Sequence, residues 1–167
     1  DVYETVVKPL IGYVLKGANC TVFAYGPTGT GKTYTMEGDQ ASEEAAGIIP
    51  RAVVQIFDSL LTRSGSFSVR VSFLELYNEE VYDLLSGPDD TSKLRIYEDV
   101  QRKNSVKIEG LNETTITTAS EIFDILLRGS MKRQTAATLL NAHSSRSHSI
   151  FSITVLARDS EDEEFRK

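Results

Sequence analysis

The sequence predicts an α/β fold, a layered sheet with helices interleaved between its strands, and three observations carry that reading. A β-rich apolar run at 20–25 (CTVFAY) leads into GPTGTGKT at 26–33, with a helix predicted from Lys32. Apolar residues recur at helical spacing at Val6, Val7, Leu10, Ile11, Val14 and Leu15, and again at Val53, Ile56, Phe57, Leu60 and Leu61. Phe67, Val69, Val71 and Phe73 then alternate with Ser68, Arg70 and Ser72, the pattern of a strand with one drier face.

Taken in order, Pro9 should tighten or kink the first helix near its start, and Gly17 should stop it. The helix from Lys32 should last about a turn and a half, before an interrupting loop over 38–49 that opens on GDQASEEAAG. Pro50 suits the first turn of the helix that follows. Leu74 and Leu76 fill the second face of the long strand, so its later half should be buried on both sides. Asn78 is predicted to cap a short helix holding Val81, Tyr82, Leu84 and Leu85, and Glu79 reads as a solvated acid on it. Strands over 94–97 and 106–109 should flank a basic turn with Arg102 and Lys103. Thr118 and Glu121 form a capping box opening a helix that carries Ile122, Ile125, Leu126 and Ala136, and 150–156 is a final strand. No repeat, heptad or low-complexity tract interrupts this single domain, 1–167.

The bulk numbers exclude several classes. With 167 residues, 40% hydrophobic and 25% charged, the chain has an ordinary globular composition. It has no apolar run long enough to span a membrane and no signal-peptide pattern. Cys20 is the single cysteine, so no disulfide framework or metal cluster is expected; it reads as a small core residue in a reducing, cytoplasmic setting. A net charge of −6 argues against nucleic acid as a partner. The chain starts at Asp1 inside a helical pattern and ends on a charged run, and it is expected to be a piece of something longer.

GPTGTGKT matches the phosphate-cradling pattern Gly-x-x-x-x-Gly-Lys-Thr. Gly26, Gly29 and Gly31 let the backbone wrap a phosphate closely, and the freed N–H groups of the loop, Thr28 and Thr30 among its residues, face an anion at a helix N-terminus. Lys32 supplies a charge for the β- and γ-phosphates, and Thr33 a hydroxyl for Mg²⁺. A second constellation, NAHSSRSH at 141–148, places hydroxyls and an arginine on a loop between a helix and a strand. Over a triphosphate such groups can ligate Mg²⁺, orient water and neutralise developing charge. Read by composition alone, it is a solvated serine-rich loop.

Three blocks, FAYGPTGTGKTYTMEG, LELYNEEVYDLL and LLNAHSSRSHSIFSITV, resemble the corresponding blocks of kinesin motor domains, in the same order. The wording is most similar to the tetrameric, spindle-associated kinesin class. The resemblance implies a P-loop NTPase-type three-layer sandwich, here with an incomplete central sheet that lacks the first and late strands. It implies ATP and Mg²⁺ as cofactors, microtubules (tubulin) as partner, a cytoskeletal and possible spindle location, and microtubule-stimulated ATPase activity that drives movement along microtubules. Position by position, it puts Gly26, Pro27, Thr28, Gly29, Thr30, Gly31, Lys32 and Thr33 around the phosphates and Tyr34 near the adenine. In the first switch loop, Ser145 joins Thr33 on the metal, Asn141 and Ser144 place the attacking water, and Arg146 pairs with a glutamate of a second switch. His148 supports that loop, and neither His143 nor His148 has metal-ligand spacing. Pro27 departs from the class, which usually has glutamine there.

The second switch, most of the microtubule-binding helices and any segment that oligomerises the full protein lie outside the chain in this resemblance. So do the strands that pair with 20–25 on either side. Unpaired backbone groups there would cost roughly 1–3 kcal/mol each, so the chain alone is expected to fold poorly and to hydrolyse ATP weakly or not at all. Arg95, Arg102, Lys103 and Lys107 lie on the hairpin that resembles a secondary tubulin contact. Two other readings stand beside this one: a non-hydrolysing nucleotide-binding or microtubule-tethering module, and a different P-loop NTPase. No Asn-Lys-x-Asp guanine-reading motif supports a GTPase.

Overall fold

A computed structural model describes residues 2–39, 42–100, 105–139 and 146–159. Expectations placed on Arg102, Lys103, Asn141, His143, Ser144 and Ser145, and on the side chain of Ala136, lie outside the described residues. The chain divides into two compact units. The first is drawn from Asp1–Val69, Ile116–Leu126 and Thr154–Lys167, and the second from Arg70–Thr115 and Leu127–Ile153.

In the first unit, a π-helical turn Tyr3–Val7 runs into helix α1 (Lys8–Val14). Pro9 has no N–H to return to Thr5, and the turn before it widens so that the Lys8 N–H reaches the Tyr3 carbonyl. Tyr3, Val7 and Ile11 form the buried stripe, whereas Val6, predicted to share it, is exposed. The Tyr3 hydroxyl is shared between the Arg51 carbonyl and Gln55 Oε1, and burial pushes its pKa up to about 12. Gly17 ends the helix as predicted. At φ +93° it lets its own N–H reach the Val14 carbonyl, while the Ala18 N–H reaches that of Tyr13, satisfying two terminal carbonyls.

Helix α2 (Lys32–Glu37) is a turn and a half, and α3 (Ile48–Leu61) begins at Ile48. Between them the chain closes on itself: Gly38 bridges Ala46, and the Gly47 N–H donates to the Glu37 carbonyl at 3.3 Å. A Cβ on Gly38 would lie 2.2 Å from the Gly47 nitrogen, so only glycine permits this crossing. Val53, Ile56, Phe57 and Leu60 of α3 are buried as their spacing predicts, each contributing about 1.5–3 kcal/mol of transfer energy, but Leu61 is exposed.

Among the described residues the sheet has six strands: β1 (Gly65–Tyr77), β2 (Glu80–Asp83), β3 (Lys93–Glu98), β4 (Val106–Glu109), β5 (Thr114–Ile116) and β6 (His148–Asp159). Their order is β4-β3-β2-β1-β5, with β6 also pairing β1. Strand β1 is buried from Val71 through Glu75, so its later half is covered on both faces as the sequence indicates. The short helix predicted after Asn78 is not formed. Residues 78–79 are instead a two-residue hairpin turn, with both φ positive (51° and 63°), and β2 pairs back on β1 from Tyr77↔Glu80 to Leu74↔Asp83. That geometry matches the twist of adjoining antiparallel strands. Val81 and Asp83 face inward by alternation, and Asp83 accepts the N–H groups of Leu85 and Asn112 at 2.7 and 2.9 Å.

Residues 20–25, predicted as a strand, pair with no strand among the described residues. Phe23 and Tyr25 are 81% and 95% exposed, and Cys20 is exposed rather than in the core. A β-rich apolar composition favours an extended segment, but a strand also needs a neighbour to bond. Strands β3 and β4 form the predicted hairpin, with Arg95 opposite Glu109.

Helix α4 (Glu121–Leu139) buries Ile122, Ile125 and Leu126 as predicted. Glu121 Oε1 accepts the hydroxyls and backbone N–H groups of Thr117 and Thr118, which hold its carboxyl down to about 2. Depressed in the folded state from an ordinary value of 4.5, this group contributes stability that is fully present above that value and lost as pH falls toward 2. Glu121→Ala should therefore lower the thermal midpoint at pH 7, and the gap from wild type should close as unfolding is followed down toward pH 2. Further along α4, a Cβ on Gly129 would sit 2.3 Å from Phe73 Cδ1. Gly129→Ala should cost about 1–3 kcal/mol in denaturant unfolding, overcoming its gain in helix propensity.

Candidate nucleotide-binding site

The loop at 26–33 is built as its glycines require. Gly29 and Gly31 have φ of 83° and 85°, and Gly26 an open φ of 157°. Gly31 caps α2 in the left-handed region, so Lys32 and Thr33 are the first two residues of the helix and Tyr34 the third. Thr28, Gly29, Thr30, Thr33 and Tyr34 are exposed. Thr30 Oγ1 donates to the Pro27 carbonyl at 2.9 Å, which tightens the turn.

Lys32 folds back over its own loop, donating Nζ to the carbonyls of Gly26 and Pro27 at 2.9 and 2.6 Å. The ammonium is held by neutral carbonyls, which anionic oxygens can displace with a gain in charge attraction. The exposed Thr33 hydroxyl, beside it on the first turn, is of the oxygen type that a hard cation such as Mg²⁺ takes. The residues fit a metal-bound triphosphate.

Of the second constellation, Arg146, Ser147 and His148 are described, and Asn141, Ser144 and Ser145 are not. Arg146 is exposed, and His148 is exposed at the start of β6. Ser147, between them, accepts a hydrogen bond from Arg133 Nη2 at 3.0 Å, and Arg133 Nε donates to Glu75 Oε1 at 2.9 Å. No local motif marks Glu75 or Arg133 in the sequence. The available signal was an acid within the otherwise apolar strand segment FLELY.

A shallow cleft elsewhere, of about 630 Å³, is lined by Leu15, Lys16, Thr62, Arg63 and Ser64 and includes none of these residues. There Arg63 donates to the Leu15 carbonyl at 3.2 Å, as basic groups do at helix C-termini. On the β3–β4 hairpin, Arg95 and Lys107 are both exposed. The Tyr97 side chain, with Glu109 opposite, raises the Arg95 pKa and keeps its charge fixed.

A glycine loop that opens a helix, with its lysine over the turn, defines a chain of the P-loop class. Compared with known families, all of residues 1–167 match the kinesin motor domain, and the chain belongs to that family. Kinesin-like protein KIF11-A of Xenopus laevis is 51% identical over 164 residues, 93% of this chain and 15% of that protein. Klp61F of Drosophila melanogaster is 50% identical over 167 residues, and KIN-5C of Oryza sativa subsp. japonica 49% over 180. The chain thus spans less than a fifth of these relatives, between 15% and 18% of their length. A solved fast kinesin, described with implications for ATPase mechanism and interactions with microtubules, shares the fold at a TM-score of 0.88 and 41% identity, over 97% of this chain and 46% of that one.

Proposed function

We propose that this chain is the ATP-binding core of a microtubule-dependent motor that couples ATP hydrolysis to movement along microtubules. The observation that carries the reading is the loop at 26–33, with Lys32 placed over it, in a chain of the kinesin motor family. Gly26, Pro27, Thr28, Gly29, Thr30 and Gly31 cradle the phosphates, Lys32 binds the β- and γ-oxygens, and Tyr34, 62% exposed, is free to lie against the base. Thr33 and Ser145 would hold Mg²⁺, which would supply charge neutralisation for the phosphates. Asn141 and Ser144 orient the attacking water, and Arg146 steadies the loop through a carboxylate partner. The similarity to KIF11 and KIN-5 proteins supports work on the cytoskeleton, within the cytoplasm or on the spindle.

The test is steady-state ATPase activity of the motor domain that carries this segment, with and without microtubules. Lys32→Ala should lower kcat/KM about 100-fold or more, by removing charge stabilisation at the transferred phosphate. Turnover unaffected by that change would overturn the reading. ATP binding without any turnover in the unaltered domain would favour a tethering module.

The basic hairpin is the second contact proposed for tubulin, whose acidic surface it complements. Reversing Arg102 and Lys103 to Glu should raise the microtubule concentration for half-maximal stimulation about threefold or more at low salt, with the effect shrinking as salt is added. An unchanged stimulation curve would remove this hairpin from the interface.

A further inference from the structure

The shallow cleft at the ends of α1 and α3 lies wholly within the first unit and contains no residue of the phosphate loop. Leu15 and Lys16 line it from one helix end, and Thr62, Arg63 and Ser64 from the other. All of these but Leu15 are exposed. The chain carries a net charge of −6, yet it has no acid from 5 to 36 and none from 59 to 74. Both stretches supply the cleft, and among the described residues neither Lys16 nor Arg63 is paired with a carboxylate. The cleft is cationic in an acidic chain.

Helix ends ordinarily oppose an anion, because their last carbonyls carry partial negative charge. Here those carbonyls are already bonded. The Gly17 and Ala18 N–H groups reach the carbonyls of Val14 and Tyr13 at 2.9 and 3.0 Å, and the Arg63 N–H reaches that of Leu60 at 3.1 Å. Arg63 Nη1 takes the Leu15 carbonyl at 3.2 Å. That bond also holds the guanidinium at the cleft, so less side-chain freedom is lost when a ligand arrives. Among the described residues its Nε–Nη2 edge is left over, the edge that bonds two oxygens of one oxyanion at once. Lys16 adds a compact charge with three donors, and Ser64 a hydroxyl. Thr62 returns its own hydroxyl to the Ser59 carbonyl at 2.9 Å.

A phosphate monoester, with three strong acceptor oxygens and nearly two charges, uses donors arriving from several directions better than a planar carboxylate does. The cleft, of about 630 Å³, is much larger than one phosphate. It has room for the residues on either side of a phosphorylated side chain. We propose that this cleft docks a phosphoserine peptide, with Lys16 and Arg63 holding the phosphate. The site is separate from the proposed ATPase centre, so either reading can fail without the other.

The test is fluorescence anisotropy on the full motor domain, with labelled peptides that carry one phosphoserine among varied flanking residues. The best should bind with a Kd on the order of 0.1 mM or below, as a few charge-assisted hydrogen bonds provide. It should bind at least tenfold tighter than inorganic phosphate added as competitor, and more weakly as salt is raised. Arg63→Gln and Lys16→Gln should each weaken binding about tenfold, whereas Lys32→Ala should leave it within about twofold. The Lys16 side chain is exposed, so Lys16→Gln should keep the wild-type thermal midpoint and separate lost binding from lost folding. Phosphopeptides that bind no better than their unphosphorylated counterparts would overturn the proposal. So would binding that follows Lys32 rather than Lys16 and Arg63. Inorganic phosphate that matches every peptide would overturn the peptide as ligand and assign the cleft to the free ion.

Discussion

Strand β1 is the constraint on which the other elements depend. From Val71 through Glu75 every residue is buried, so both faces must be covered and both edges bonded. Phe57 of α3 meets Phe67 edge-on at 6.2 Å in the first unit, and Phe151 of β6 meets Phe73 at 5.3 Å in the second. Helix α4 approaches Phe73 so closely that only glycine fits at position 129. Glu75 is the one acid in this row, and its charge ties β1 to α4 and to the residue before β6. Apolar cover gives the strand its stability, and the single buried acid gives it direction.

The two units express different physics. The first is held by helix burial, with Tyr3, Val7, Ile11, Val53, Ile56 and Leu60 all nearly inaccessible. The second is a hairpin array whose turns are closed by polar groups: Asp83 takes two backbone N–H groups, and Lys132 Nζ donates to Ser86 Oγ and the Gly87 carbonyl. Burial draws the Lys132 ammonium below its ordinary pKa. The phosphate loop belongs to the helical unit, and the Arg133–Ser147 contact to the hairpin unit.

What the sequence reveals follows from range. The loop at 26–33 is legible because its chemistry is complete within eight consecutive residues, and the Thr118–Glu121 cap because it spans four. The stretch at 78–85 misleads because Val81, Tyr82, Leu84 and Leu85 satisfy a helical stripe, while alternation of Val81 with Asp83 is the pattern that wins. Glu79 at positive φ gives no warning, since glycine is the usual sign of such a turn. Residues 20–25 have the composition of a strand, but pairing is a property of the neighbour and not of the segment. The Glu75–Arg133 pair spans 58 residues, and no local pattern can announce it.

Pro27 changes meaning once its contacts are known. From sequence it is a loss, since proline removes an amide from a phosphate cradle. Its remaining backbone polar group, the carbonyl, is the acceptor for both Thr30 and Lys32. A hydrogen bond from a charged donor to a neutral carbonyl is worth roughly 1.5–3 kcal/mol net, whereas an ammonium 4 Å from one anionic charge gains about 4 kcal/mol of attraction at an effective dielectric of 20, and a polyphosphate carries several such charges. A polyphosphate can therefore draw Lys32 from the carbonyl. With φ fixed at Pro27, less freedom is lost when the loop closes on an anion. The residue that removes one donor keeps the charged donor directly over the turn it serves.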